Sequence, residues 1–386
     1  MRQIITISEK TMKNWNLYRI ALRFLSGGGQ IHESDLKNGD RAAAVLRAHR
    51  CLGASLCLFD ATGVTGTLAF GVSHRDGTPV TADTVFRAAS ISKFVTGLGI
   101  MKLKEQGRID LDRDVGEYLP GDVMDAWRPE RTVTLRALMT HTAGVRDSEG
   151  YNRGIARGVP LSAILNDDLV DGPPGVWVYS NLGAGIAGVV MEAAAGTDFE
   201  TLMQETVFHP LGVTATFYPQ KVRGDLADAA RVLPRSRRPN FDAAERRSRP
   251  LPPQGVDAER HYSLAHGNLY VSAPELAKLG AAAMIPGFLT EDSLLEMRKI
   301  AVPFGERARN LSQGLFTFVL REPTISPRPL YGHQGMAYGA VPGLFFDPEA
   351  GRGYALLTTG ASEARRGVLA DLNADLLRLL VGDQHG

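Results

Sequence analysis

The chain has 386 residues, 44% hydrophobic and 22% charged, with a formal net charge of +1. This is the composition of a folded globular protein with a large core and two or three lobes. The near-zero charge excludes a chain-wide bias toward nucleic acid or membrane surfaces, and no run of about 18 apolar residues is present to cross a bilayer.

Residues 1–40 read as an N-terminal extension that closes on Gly27, Gly28 and Gly29. Its stretch "MKNWNLYRIALRFLSGGG" is interrupted by Arg19 and Arg23, which argues against a secretory signal. A surface helix docked on the body is expected there, and the lack of a clear signal favours the cytoplasm. A helix follows through "DRAAAVLRAHR", then two strands, "ASLCLFD" and "GTLAFGVSH", joined by turn residues from Asp60 to Gly66. Cys51 and Cys57 would lie roughly 20 Å apart on an extended strand, too far for a disulfide, so both are expected free and buried.

The middle of the chain is helical and loop-rich. "TLRALMTHTAG" reads as a short helix capped by Thr134 and stopped by Gly144, and "LGAGIAGVVMEAAAG" as another, ended by Gly196. Residues 221–262 are rich in Arg and Pro and read as a solvated excursion. The last third returns to strands, "LYGHQGMAYG", "VPGLFFDPEAG" and "GYALLTTG". A terminal amphipathic helix is expected with Ser362 as cap and Val368, Leu369, Leu372, Leu376 and Leu379 on one face. The fold class predicted is α+β: one antiparallel sheet built from both chain ends, flanked by terminal helices, with a central all-helical lobe. The domain reading is a 1–40 extension, a sheet lobe of 41–85 and 265–386, and a helical lobe of 86–264.

One residue is out of keeping with its surroundings. In "TVFRAASISKFVTGLGIM" the residues Ile91, Phe94, Val95, Leu98 and Met101 repeat at helical spacing, Ile100 extends them to a second face, and Lys93 is the single charge from Ala88 to Met101. A helix apolar nearly all round is buried, and a buried ammonium is costly unless it is paired, neutralised or used. Ser90 precedes Lys93 by one helical turn and falls at the helix start, where backbone N–H groups are unpaired. A serine hydroxyl becomes a nucleophile when a base takes its proton, and a buried lysine has the lowered pKa such a base needs. Taken alone the pair is equally well a helix cap with a snorkelling amine. A second Ser-x-x-Lys, Ser34 to Lys37, sits in a polar stretch without an apolar helix and is read as coincidence.

Two further stretches carry suitable chemistry. "PPGVWVYSNLGAG" sets Tyr179 and Asn181 between a strand and a helix start, a phenol that can relay protons and an amide that can hold both Lys93 and a substrate carbonyl. "YGHQGMAYG" sets His333 two residues before Gly335 on a strand, where the glycine would let substrate lie against the backbone.

These three motifs, Ser90-Ile91-Ser92-Lys93, Tyr179-Ser180-Asn181 and His333-Gln334-Gly335, resemble in content and order the serine β-lactamase and D,D-peptidase superfamily. The likeness is greatest to the class C β-lactamase branch with its D,D-carboxypeptidases, D-aminopeptidases and esterases, and it extends over residues 41 to 382, flanks such as "LRALMTHTAG", "PLGVTATFY" and "GNLYVSAPELAKLG" included. The resemblance implies a β-lactamase/transpeptidase-like fold and a serine hydrolase. Ser90 would attack a carbonyl while Lys93 and Tyr179 accept its proton. The backbone N–H groups of Ser90 and Met336 would form the oxyanion hole, with Asn181, His333 and Gly335 lining the substrate site. Tyr179 is expected to ionise more easily beside a cationic Lys93. His141 in "THTAG" is structural by the same resemblance. No cofactor and no metal site is expected. The partner is a small-molecule or peptide substrate, not nucleic acid.

Two departures bear on substrate. His333 stands where most class C β-lactamases carry lysine, and Met336 where a hydroxyl or glycine often contacts a substrate carboxylate. The reading is therefore a hydrolase of a small ester, amide or D-alanyl peptide, with a β-lactamase proper, or a penicillin-binding sensor acylated without turnover, as alternatives.

Overall fold

The computed structural model describes residues 29–74, 76–127, 131–167, 172–228, 243–251, 254–303, 310–367 and 369–382. The apolar and basic stretch expected to form an N-terminal helix, and parts of the Arg/Pro-rich excursion, lie outside the described residues.

Twelve strands are found among the described residues: β1 (Ile31–Ser34), β2 (Gly53–Asp60), β3 (Gly63–Gly71), β4 (Phe86–Arg87), β5 (Ala215–Thr216), β6 (Tyr270–Val271), β7 (Val302–Pro303), β8 (Leu311–Gln313), β9 (Phe318–Leu320), β10 (Leu330–Gln334), β11 (Gly343–Asp347) and β12 (Arg352–Thr359). Nine of them form one sheet in the order β1-β3-β2-β12-β11-β10-β9-β8-β7, and β4, β6 and β5 form a small second sheet. The pairings in the large sheet are antiparallel. The two chain ends meet at its centre, where Leu56 lies opposite Leu356 and Cys57 opposite Ala355.

Alternation along the strands sends side chains to two different cores. Leu56, Phe70, Phe345, Tyr354 and Leu356 pack under helices α1 (Gly39–Ala48) and α6 (Asp371–Leu377). Cys57, Phe59, Leu344, Phe346, Ala355 and Leu357 face the other way, toward α2 (Ile91–Glu105) and α5 (Ala273–Met284). Cover on both faces explains why "SLCLF" and "GYALLTT" are continuous runs. Both cysteines are free and buried, and burial pushes each thiol up to about 12, so neither is poised to react.

The central part of the chain is helical apart from the small sheet. α3 (Leu135–Met139) starts as the sequence predicts, with the Thr134 side chain accepting from Ala137 N–H, but stops at Met139 rather than Gly144. His141, at φ 56°, turns the chain away. α4 (Asn181–Ala195) ends on left-handed Gly196, as expected. The terminal helix begins at Asp371, not after Ser362. Ala370 N–H donates to the buried Gln334 side chain, which pins the chain to the sheet before the helix can start. Val368 lies outside the described residues.

α2 is the element that matters most. Every residue from Ile91 to Met101 is buried, so its apolar side chains each contribute roughly 1.5–3 kcal/mol by leaving water. Phe94 meets Phe346 edge to face at 6.2 Å, which locks the helix to the large sheet.

Candidate active site

The turn ahead of α2 is strained and heavily tied. Ala89 has φ 46°, a left-handed conformation that costs a non-glycine residue about 1–3 kcal/mol. Ala88 N–H donates to Leu269 O at 2.8 Å. The Ser92 hydroxyl donates to Ala89 O at 2.6 Å and accepts from Leu269 N–H at 2.9 Å. Gly335 closes the turn from the sheet side: a Cβ there would lie 2.8 Å from both Ala89 Cβ and Pro342 Cγ. The glycine's space is taken by the protein's own turn, so its absent side chain brings the end of β10 against the start of α2. Ser90 emerges from this turn half-buried, as the cap of α2.

Lys93 is wholly buried. Its Nζ donates to Asn181 Oδ1 at 2.7 Å, to His266 O at 2.7 Å and to Ser90 Oγ at 3.3 Å. It also lies 4.8 Å from the centre of the Tyr179 ring. All its contacts are thus neutral. Burial pulls its pKa down to about 7, against the partly offsetting charge of Asp147 and with some help from Arg87. Space beside Gly97, which follows one turn later, is filled by Phe316 and Met297.

Tyr179 differs from expectation. Loss of hydration pushes its phenol above the ordinary tyrosine value, and a hydrogen bond with Ser90 only partly offsets this. Burial, with a smaller contribution from the charge of Asp147, prevails, so the phenol keeps its proton. His141 packs against its ring, tilted by 39° with the ring centres 4.5 Å apart.

His333 is fully buried on β10 and stacked on Phe318 at 4.1 Å. Its Nδ1 donates to Gln334 O, and Nε2 has no partner among the described residues. Burial, then the charge of Lys93, lowers its pKa to about 3, so the ring is neutral across the working range. Met336 is half-buried just beyond Gly335. The backbone N–H groups of Ser90 and Met336 donate to nothing among the described residues.

Ser90, Lys93, Tyr179 and Asn181 are therefore joined by direct contacts, while Gly335 touches the turn that presents Ser90. Sequence reasoning missed Asp147. Its Oδ1 accepts from the N–H groups of Asn181 at 2.7 Å and Leu182 at 2.9 Å and from Ser180 Oγ at 3.1 Å, and its Oδ2 accepts from Asn181 Nδ2 at 2.7 Å. A helix start with a buried amide demands such an acceptor, but no spacing tells which carboxylate supplies it. The carbonyl of His266 was likewise unforeseen, since any residue type can offer it.

Comparison with known proteins bears on the family and the fold. The Beta-lactamase family model matches residues 39–378. Esterase EstB of Burkholderia gladioli is 28% identical over 367 residues, 84% of this chain and 90% of that protein. Penicillin-binding protein 4 of Amycolatopsis lactamdurans is 32% identical over 180 residues, 45% of this chain and 46% of that protein. The chain thus spans less than half the length of that penicillin-binding protein. The solved structure of EstCE1, described as a hydrolase with promiscuous acyltransferase activity, shares the fold with a TM-score of 0.68 at 22% identity, over 95% of this chain and 99% of that one.

Proposed function

The chain belongs to the beta-lactamase family of serine hydrolases, and from that premise we propose that it hydrolyses a small ester, amide or D-alanyl peptide through an acyl-enzyme on Ser90. The observation that carries this reading is Lys93: wholly buried, held by neutral acceptors, and 3.3 Å from Ser90 Oγ. A lysine with a pKa of about 7 has a large neutral share at neutral pH and can take a proton.

In the proposed reaction, Lys93 Nζ takes the Ser90 hydroxyl proton as Oγ bonds to the substrate carbonyl carbon. The carbonyl electron pair moves to oxygen, which is held by the N–H groups of Ser90 and Met336. Collapse breaks the bond to the leaving group. That group takes a proton from Lys93, relayed by the Tyr179 hydroxyl, which enters as a neutral phenol and leaves as one. Water then attacks the acyl carbon, its proton goes to Lys93, and Ser90 departs with that proton. Asn181 orients Lys93 and the substrate carbonyl.

The substrate side of the proposal rests on His333 and Met336. A buried neutral imidazole offers no fixed charge to a carboxylate, and a thioether offers no donor. Uncharged or small acyl groups are favoured over the anionic penicillin core, in line with the esterase among the relatives. Intact-mass analysis with a short p-nitrophenyl ester, benzylpenicillin and a D-alanyl dipeptide tests this. The expected result is ester turnover with penicillin as a slow acylating inhibitor at most. Penicillin hydrolysis with kcat/KM in the range of about 10⁴–10⁸ M⁻¹s⁻¹ would overturn the substrate assignment. A penicillin adduct without turnover of any substrate would point to a sensor.

A further inference from the structure

We infer that Asp147 is a positioning residue for the reaction: by gripping the start of α4 it fixes which end of the Asn181 amide faces Lys93. This rests on the serine-hydrolase reading above. The Asn181 side chain is an amide whose two ends are nearly equal in shape and opposite in hydrogen bonding. Asp147 Oδ2 accepts from Asn181 Nδ2 at 2.7 Å, which leaves Asn181 Oδ1 to accept from Lys93 Nζ at 2.7 Å. With the amide reversed, an NH₂ would face the ammonium and an oxygen would face the carboxylate, so both contacts would be repulsive. One carboxylate therefore sets the orientation of the only side-chain acceptor, among the described residues, that bonds Lys93 besides Ser90.

The grip is firm because Asp147 also holds the backbone that carries Asn181. The N–H groups of Asn181 and Leu182 and the Ser180 hydroxyl all converge on Oδ1. The same loop holds the residues just before. His141 O accepts from Val178 N–H at 2.8 Å, and His141 Nδ1 accepts from Ser180 N–H at 3.2 Å. His141 and Asp147 thus bracket residues 178–182, and the left-handed backbone of His141 aims the loop toward them.

Asp147 touches Lys93 only through Asn181, yet its charge also reaches the lysine. The charged and titratable groups around Lys93 are Asp147 from this loop, Arg87 from β4, Tyr179, and the neutral rings of His141, His266 and His333. Among these the Asp147 carboxylate raises the pKa of Lys93 and Arg87 lowers it. A purely structural cap would affect stability. A positioning carboxylate must also move the pH profile, and the sign is fixed. Removing its charge lowers the Lys93 pKa, so the acid limb of kcat/KM shifts to lower pH.

The test uses Asp147→Asn and Asp147→Glu in the full chain, with ester kcat, KM, pH profile and thermal unfolding measured for each. Asp147→Asn sets an NH₂ against the NH₂ of Asn181. The expected result is a fall in kcat of about a hundredfold, KM nearly unchanged, and an acid limb moved to lower pH. Asp147→Glu keeps the charge and loses the fit, so kcat should fall while the acid limb stays. It also serves if the amide variant fails to fold. Wild-type kcat, or an unmoved acid limb, in folded Asp147→Asn would overturn the inference, as would wild-type kcat in Asp147→Glu. Ser90→Ala run alongside separates the two claims. Turnover that survives it would sink the serine-hydrolase reading, whereas loss in Ser90→Ala with an indifferent Asp147 would sink only this one.

Discussion

Two buried charges sit on neighbouring helices of the same core, and they are treated in opposite ways. Glu192 on α4 is wholly buried and paired: His261 Nδ1 lies 3.0 Å from each of its oxygens, and Asp257 N–H also donates to it. Burial lowers the pKa of His261, but the hydrogen bond and charge of Glu192 outweigh it and hold the imidazole above its ordinary value. Lys93 on α2 is equally buried and touches only neutral acceptors. A charge kept for structure is given a hydrogen-bonded partner. A charge kept for proton transfer is held in place but left able to lose its proton near neutral pH. On the proposed reading, the contrast separates a folding device from a reaction device.

The largest expected break in this comparison comes from Lys93→Met. It should lower ester kcat/KM by about 10²–10⁴-fold, the range of a general base, while the unfolding temperature holds or rises because an unpaired buried ammonium is gone. Glu192→Ala should do the reverse. It strands His261 and should destabilise the fold by about 3–5 kcal/mol in denaturant titrations. Asn181 lies about 16 Å away along α4, so kcat of the folded variant should stay within about twofold of wild type.

Lys93 also predicts how stability depends on pH. Lys93 has a folded pKa of about 7, below the unfolded value of about 10.4. Between those values the unfolded chain binds more protons, so stability should rise with pH there, with a slope of at most about 1.4 kcal/mol per pH unit. Lys93→Met should lose that rise, and urea titrations across the interval measure it. A wild-type slope retained by the variant would mean that the lysine is not the buried amine responsible. The smallest effect is expected from His333→Lys, which adds a fixed charge beside the site. The ratio of penicillin to ester acylation should rise about tenfold, equivalent to about 1.4 kcal/mol, and an unchanged ratio would remove His333 from the specificity argument.

Much of this was legible in the residues themselves. The anomaly of Lys93 in an apolar helix followed from periodicity alone, and the two-ended sheet from where the strand-like runs fall. The Thr134 and Gly196 helix signals also read correctly, because caps are local chemistry. What failed was non-local. Ser362 was overridden by a hydrogen bond from Ala370 to Gln334 on β10. Gly144 was pre-empted by the left-handed His141. The ionisation of Tyr179 was misjudged because charge proximity is visible in a motif and desolvation is not. Asp147 was missed because its partners lie more than thirty residues on, at Ser180 to Leu182.

The central claim, that Lys93 is left without a counter-ion so that it can activate Ser90, is tested most directly by the pH dependence of fluorophosphonate labelling. The labelling rate of the wild-type chain, followed by intact mass between about pH 5 and pH 9, should rise through a single ionisation near pH 7. The adduct should map to Ser90, and Lys93→Met should label slowly at every pH. A labelling rate that does not change over that range, or Lys93→Met labelled as fast as wild type, would contradict the account.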